Sequence, residues 1–505
     1  MSGNLQVRLQ RLLSWEVTDQ LCRKVSIDSL PNDVLLEIFY SCLYPHHRNS
    51  FNFADGAGLD EWQTLVHVCQ RWRYLTLASP RSLNLRLQCT NKTAVRKMLG
   101  VWPEFPIVVS CHSSSSAPLP GVSNIDAALK CVDRVCEINF FGVPKPLLKR
   151  FGAMEVSFPA LTCLRLSSKS DDCDNQSLPN LPDSFLGGIA PRLRFFALDG
   201  VPFPAPQKLL RSTTNLVTLR LERITYPGFI SPEDMVTCLS TLTKLEELAL
   251  GFRFNRLYLF QTNQTPPPTP TAPTVIPALT SFWFRGHLTY LEDLTSQICH
   301  PLLDNVDITL YRQPEFNSSR FREFIRRIET LELLQRADIL FHDEFVNITL
   351  SRPEGPLRCK TLKFVLPYTS LDHQAMFLSQ FCRFSLPPLP ALEHLYIQCS
   401  FSGGYYTRNT CSLDLLRPFA SVKDLHLFEI TGPRTANALA TLSQESIMDV
   451  LPSLQNLFLL ESEPSETIRI IAQFIFTRCL FGRSISVHYR QGGNWVAKLL
   501  REVDN

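Results

Sequence analysis

The stretch PALEHLYI (390–397) decides how this chain is read. Leu392 opens it, and Leu395 and Ile397 then alternate with Tyr396, the residue between them. Alternation with a period of two belongs to a strand that buries one face. The same Leu-x-x-Leu-x-Leu spacing recurs in PALTCLRL (159–166), PRLRFFAL (191–198), NLVTLRL (215–221) and KLEELAL (244–250). It returns in PALTSFWF (277–284), SVKDLHL (421–427) and PSLQNLFL (452–459). Weaker copies are RVCEINF (134–140), LLDNVDI (302–308), RIETLEL (327–333) and RCKTLKF (358–364). From the first apolar position of the first copy, 135, to that of the last, 454, there are 11 intervals averaging about 29 residues, and self-similarity at such a period marks a stacked architecture.

Helically spaced segments fill the gaps. SPEDMVTCLSTL (231–242) has Pro232 at the first helical position, Glu233 and Asp234 in the first turn, and Val236, Leu239 and Leu242 as its apolar stripe. SRFREFIRRIETL (319–331) reads as an amphipathic helix through Phe321, Phe324 and Ile325. One strand–loop–helix unit cannot bury its apolar side alone, whereas a stack of them buries a continuous core.

The repeated copies resemble the leucine-rich repeat family. That resemblance implies a curved solenoid with parallel strands on its concave side, over residues 131–490. The family's Asn three positions after the last Leu is replaced here by Lys169 and Arg253. The expected fold is therefore an α/β repeat solenoid, an irregular leucine-rich-repeat horseshoe, with an N-terminal all-α module. In each strand the residue between the two inward positions should face away from the core. In register these are Arg165, Ala197, Arg220, Ala249, Trp283, Asp307, Glu332, Lys363, Tyr396, His426 and Phe458. Of these, Arg165, Arg220, Trp283, Lys363, Tyr396 and His426 are the candidate substrate-binding residues. Trp283 is the principal one, because exposed aromatics with polar neighbours make binding hot spots.

Residues 26–90 carry a second signal. SLPNDVLLEIF (29–39) sets Pro31 and Asp33 at a helix start, with Val34, Leu35, Ile38 and Phe39 on one face. TLVHVCQRWRYLTLA (64–78) then reads as a second helix with Leu65, Val68, Cys69, Trp72 and Leu75 along a stripe. These blocks resemble an F-box of the fungal type. Leu30, Pro31, Asp33, Ile38 and Phe39 match the family's opening, and Val68, Cys69 and Trp72 match its later block, with Ser79-Pro80-Arg81 following. Asn84 stands where many members place Trp, and the link 44–61 is longer than usual. The resemblance implies docking to the Skp adaptor, and through it to a cullin scaffold, by Leu30, Pro31, Val34, Leu35, Ile38, Phe39, Val68, Cys69 and Trp72. A helical cap on the solenoid is the plainer reading of the same hairpin.

Composition narrows the function classes. The chain has 505 residues, 45% of them hydrophobic, and a formal net charge of +3. That is too apolar for a disordered chain and too neutral for a general nucleic-acid binder. No apolar run approaches the roughly 18 residues of a membrane span. Residues 470–481, IIAQFIFTRCLF, are broken by Gln473 and Arg478 and read as a buried helix. The scattered arginines Arg8 and Arg11 leave no signal-peptide core, so the expected compartment is cytosol or nucleus. The 16 cysteines include no CxxC pair, and Cys42, His46 and His47 lack a fourth ligand, so neither metal nor disulfides are expected.

No phosphate-cradling glycine loop, nucleophile elbow or zinc-protease helix occurs. His342-Asp343-Glu344 reads as a solvated loop between a repeat strand and the next helix. No cofactor and no catalytic residue is expected. The expected organisation is an amphipathic helix over 1–25, the F-box over 26–90, a linker and first cap over 91–130, and the solenoid over 131–490. A mobile Pro/Thr-rich insertion interrupts the solenoid at 261–276, and a tail covers 491–505. The expected function is substrate recognition for an SCF-type ubiquitin ligase; a non-ligase solenoid scaffold is the alternative.

Overall fold

A computed structural model describes residues 27–43, 65–78, 85–101, 105–112, 121–168, 180–203, 206–225, 228–253, 273–311, 319–352, 361–367, 371–386, 389–400, 415–428, 439, 449–460, 465–491 and 494–499. The expected helix over 1–25, the link 44–61, Ser79-Pro80-Arg81, Asn84, the His46-His47 pair and the insertion up to 272 lie outside them. The chain divides into two compact units, residues 1–88 with 94–108, and residues 89–93 with 109–505.

In the first unit, helix Asn32–Leu43 and helix Gln70–Ala78 pack through Phe39 and Trp72, whose ring centroids are 4.6 Å apart. Leu35, Phe39, Leu65 and Leu75 are buried. Two features differ from expectation. The second helix is not continuous over residues 65–78: a turn at 67–68 interrupts it, and Cys69 Sγ accepts from the Trp72 backbone N–H at 3.4 Å as helix Gln70–Ala78 begins. The unit is also not all-helical, because β1 (Leu85–Gln88) belongs to it, as does helix Val95–Val101. Strand β2 (Ile107–His112) crosses the boundary between the units.

The second unit is built on one large, mostly parallel sheet. Its strands are β3 (Val135–Val143), β4 (Cys163–Ser168), β5 (Phe195–Asp199), β6 (Thr218–Ile224) and β7 (Glu247–Phe252). The two-residue strands β8 (Thr274–Val275) and β10 (Ile298–Cys299) pair with each other, apart from that sheet. The large sheet continues through β9 (Ser281–Gly286), β11 (Asn305–Leu310), β12 (Arg336–His342), β13 (Val346–Ser351) and β14 (Thr361–Leu366). It ends with β15 (His394–Ser400), β16 (Asp424–Phe428), β17 (Asn456–Leu460), β18 (Ser486–Gln491) and β19 (Asn494–Leu499).

From β3 to β7, then β9 and β11, each strand pairs in parallel with the next in sequence. Sequential parallel pairing then breaks once. β11 pairs with β14, and β13 and β12 return antiparallel before β12 meets β15 in parallel. The turn of the β12–β13 hairpin is His342-Asp343-Glu344-Phe345, so that acidic triplet joins two strands rather than a strand and a helix. From β15 to β18 the parallel run resumes, and β19 closes it antiparallel within the stretch read as a tail.

One residue row was misassigned. RIETLEL does not form a strand; Glu329–Leu333 is a 3-10 helix, and Glu332 is exposed on it. Ile328, Leu331 and Leu334 are buried at a spacing of three, which satisfies a Leu-x-x-Leu template as well as a strand does. The strand is RADILFH, so Asp338 takes the place assigned to Glu332.

The core lies on one face of the sheet. In β11, β12, β13, β14, β16 and β17 burial alternates strictly residue by residue. Helix Pro232–Leu239 starts on Ser231, whose hydroxyl accepts from the Asp234 N–H at 3.1 Å; Met235, Cys238, Leu239 and Leu242 are buried. Phe321, Phe324 and Ile325 of helix Ser319–Arg326 are buried as expected. Helix Ser465–Leu480 buries Ile471, Phe474 and Ile475, and with them Arg478. Within that helix, read from the sequence as a buried one, the Arg478 guanidinium donates to the carbonyls of Val450, Leu451 and Pro452, at 3.2, 3.0 and 2.9 Å. Cys89, Cys111, Cys163, Cys238 and Cys382 are buried thiols outside any disulfide. Burial pushes Cys89 up to about 12, which leaves it inert.

Candidate binding surface: a stacked row of rings

The half-buried face of the sheet carries one continuous row. Following the pairings strand by strand, Asn139, Arg165, Ala197, Arg220, Ala249, Trp283, Asp307, Lys363, Thr349, Asp338, Tyr396, His426, Phe458 and His488 stand in register. Every residue expected to face away from the core is on it, Glu332 excepted. The expected neighbours of Trp283, Ala249 and Asp307, flank it.

The row changes character along its length. Arg165 lies over the Phe195 ring at 4.1 Å. Arg220 donates from Nε to Glu247 at 2.7 Å, and Lys363 pairs with Asp307 at 3.2 Å. These charges are already matched within the sheet. Trp283 is half-buried and its indole lies on β7, where a Cβ added at Gly251 would come within 2.8 Å of the ring. Gly251 is what admits the indole there. Ala197 and Ala249 are each only 2% exposed, so small row residues are covered by larger neighbours.

Over β15 to β18 the row becomes a ladder of parallel rings. Tyr396 and His426 stack at 4.0 Å with planes 6° apart, His426 and Phe458 at 4.3 Å and 6°, and Phe458 and His488 at 4.6 Å and 16°. These spacings fall just under the strand separation of a sheet, about 4.7–4.9 Å, so the backbone register brings the rings face to face and they lean together. Each ring face covers the next, and ring edges are left toward solvent; all four residues are half-buried. The Arg336 guanidinium caps the Tyr396 end, 4.0 Å from the ring centroid. Asp338 holds that guanidinium flat through two hydrogen bonds of 2.8 and 2.6 Å.

Two residues back along each strand lies a polar row: Arg336, His394, Asp424, Asn456 and Ser486. His394 Nδ1 is 2.8 Å from Asp424 Oδ2, and Asn456 Nδ2 donates to Asp424 Oδ1 at 2.7 Å. Asn456 Oδ1 in turn lies 3.4 Å from His488 Nε2. The polar row thus pins the ladder at His488. Burial lowers His426 to about 4; Asp424 opposes the shift, and His394 and Arg336 add to it. His426 is therefore a neutral ring at pH 7.

His488, Arg336, Asp338 and the polar row escaped the sequence reading. The signal for β18 was present in ISVHY (485–489), where Ile485 and Val487 are buried and alternate with half-buried neighbours. The polar row lay two residues before each assigned position, where a strand face repeats.

The N-terminal residues separate into two sets. Leu35 and Phe39 are buried inside the first unit, Leu30, Ile38, Cys69 and Trp72 are half-buried, and Pro31 is exposed. Val34 is 40% and Val68 58% exposed, with Tyr74 and Leu77 also exposed on helix Gln70–Ala78. Arg71 fastens the start of the first helix by donating to the Leu30 carbonyl and, at 2.8 Å, to Asn32 Oδ1.

Among the described residues no group of three or more His, Cys, Asp or Glu side chains could hold a metal ion, and no helix is long and apolar enough to cross a membrane. Compared with known proteins, the sequence matches no protein-family model and no curated protein.

Proposed function

We propose that this chain is a protein-binding module whose binding surface is the ring ladder Tyr396–His426–Phe458–His488 with its polar row. One observation carries the reading: four stacked, parallel rings stand on the half-buried face of a sheet whose other face is a packed core. Rigid aromatic groups flanked by hydrogen-bonding side chains lose little conformational entropy on binding, which is why they dominate interface energies. No chemistry is assigned to the surface, since its histidines serve as stacked rings and hydrogen-bonding partners. Affinity capture by the full chain, compared with a Tyr396→Ala/Phe458→Ala variant and a Lys244→Ala control, tests it. Proteins held by wild type and control should be lost from the ladder variant; an unchanged set refutes the reading.

A second, finer reading makes the module a substrate receptor of an SCF-type ubiquitin ligase. It is favoured by the first unit, where Pro31, Val34 and Val68 are exposed and Ile38 is only half-buried. A small helical pair with surface left over needs a partner to cover it. The partner of this reading is the Skp adaptor, which would bring bound substrate close to the ligase's ubiquitin carrier. Purified adaptor should bind the full chain at micromolar concentration and bind Val34→Asp at least tenfold more weakly. Absence of binding by wild type removes this reading and leaves the scaffold reading standing.

A further inference from the structure

At the ends of β4, β5 and β6, Ser167, Asp199 and Glu222 stand in register on the half-buried face. Like charges directly across adjacent strands repel. Two arginines lie close by, and both are committed elsewhere. Arg223 grips both carboxylate oxygens of Asp199, with Nη2 at 2.8 Å from Oδ2, and reaches the Ser168 carbonyl at 3.1 Å. Arg220 is engaged by Glu247. Glu222 lies directly across from Asp199, while both of these arginines hold other carboxylates.

The backbone here is bent to make the Arg223 contact. Arg223 has φ +48°, in the left-handed region that a side chain disfavours, and the β6–β7 register shifts between Leu221 and Ile224. Across from it Gly200 has φ +65°, and an added Cβ would meet Ser168 Oγ at 2.7 Å. The Gly200 N–H donates to the Glu222 carbonyl at 2.8 Å, tying the two positions together. Arg223 is thus a latch across three strand ends, set in strained backbone beside the Glu222 carboxyl.

We propose that Glu222 is a proton switch on the Arg223 latch: neutral, it leaves Arg223 on Asp199 and Ser168; ionised, it draws the guanidinium away and loosens the ends of β4 and β5. The proton goes to solvent, and no other group changes. The groups facing Glu222 are Asp199 on β5, Arg220 and Arg223 on its own strand, and Glu247 on β7. Burial, then Asp199, pushes its carboxyl up to about 7, with the two arginines only partly offsetting them. Because this lies above the ordinary 4.5, the folded chain holds the extra proton between those values. Stability from this group is present below that window and falls as pH rises through it.

The test compares full-length wild type with Glu222→Gln. The variant's melting temperature minus that of wild type should be small below about pH 4.5, grow as pH rises from there to about pH 7, and level off above it. Glu292, a second carboxyl raised to about 7, is common to both proteins and cancels in the difference. Hydrogen exchange at the Gly200 amide, corrected for intrinsic rates, should speed several-fold in wild type between about pH 6 and about pH 8.5 and stay constant in the variant. A flat difference curve overturns the proposal. If Glu222→Gln does not fold, Gly200 exchange in wild type decides alone, and protection unchanged over that range overturns it.

Discussion

The imidazole of His426 lies flat on the phenol ring of Tyr396, centroids 4.0 Å apart and planes 6° from parallel. A ring stacked on both faces cannot keep its hydration shell, so its neutral form is favoured. With its pKa lowered to about 4 from 6.5, the unfolded chain binds the extra proton between those values. This contribution to stability is complete above about pH 6.5 and is lost as pH falls toward about 4. His426→Phe keeps a flat ring and removes the proton site. Its melting temperature should therefore vary less over that interval than that of wild type.

Arg478 is fully buried with three carbonyls as acceptors, and its own pKa is lowered by that burial. Removing the guanidinium leaves those carbonyls of residues 450–452 without their donor. Arg478→Met should cost about 3 kcal/mol or more in urea unfolding, since hydrogen bonds to charged groups are each worth about 1.5–3 kcal/mol. Arg478→Lys should recover little of it, because an ammonium cannot span three acceptors in a fork.

The Pro/Thr-rich insertion ends in structure. Thr274 and Val275 pair with Ile298 and Cys299, and Ile276 is fully buried. Replacing residues 262–272 with a short Gly/Ser linker should leave the melting temperature nearly unchanged, because closure entropy varies slowly with loop length. Extending the replacement through Ile276 should lower it by several degrees. Equal melting for both replacements would show that the short β8 strand contributes nothing.

Much of the sheet was legible because its strands repeat one apolar template, and register follows once one face must be buried. Arg165, Trp283, Tyr396 and His426 fell on the row for that reason. The β12–β13–β14 reversal was not legible. VNITLS alternates like any strand but lacks the Leu-x-x-Leu lead, and nothing local states whether a strand runs parallel or antiparallel. Glu332 was misplaced because a 3-10 helix buries every third residue, as the template's first two positions do. The ladder escaped because stacking depends on which strands become neighbours, and Tyr396, His426, Phe458 and His488 lie about 30 residues apart.

In the first unit Phe39 is buried against Trp72. Phe39→Ala should cost about 3–5 kcal/mol, the range for a buried aromatic truncated to Ala. Val34→Asp, at an exposed position, should change stability by less than about 0.5 kcal/mol. A Val34→Asp chain that unfolds would show that this face is already covered within the protein.

Footprinting tests the binding surface most directly. Hydroxyl-radical oxidation is read by mass spectrometry on the full chain alone and in complex with a captured partner. If the ring ladder is the surface, oxidation of Tyr396, His426, Phe458 and His488 falls several-fold in the complex, while exposed Phe481 on the C-terminal turn is unchanged. Undiminished oxidation of the four rings, with protection elsewhere, would contradict it.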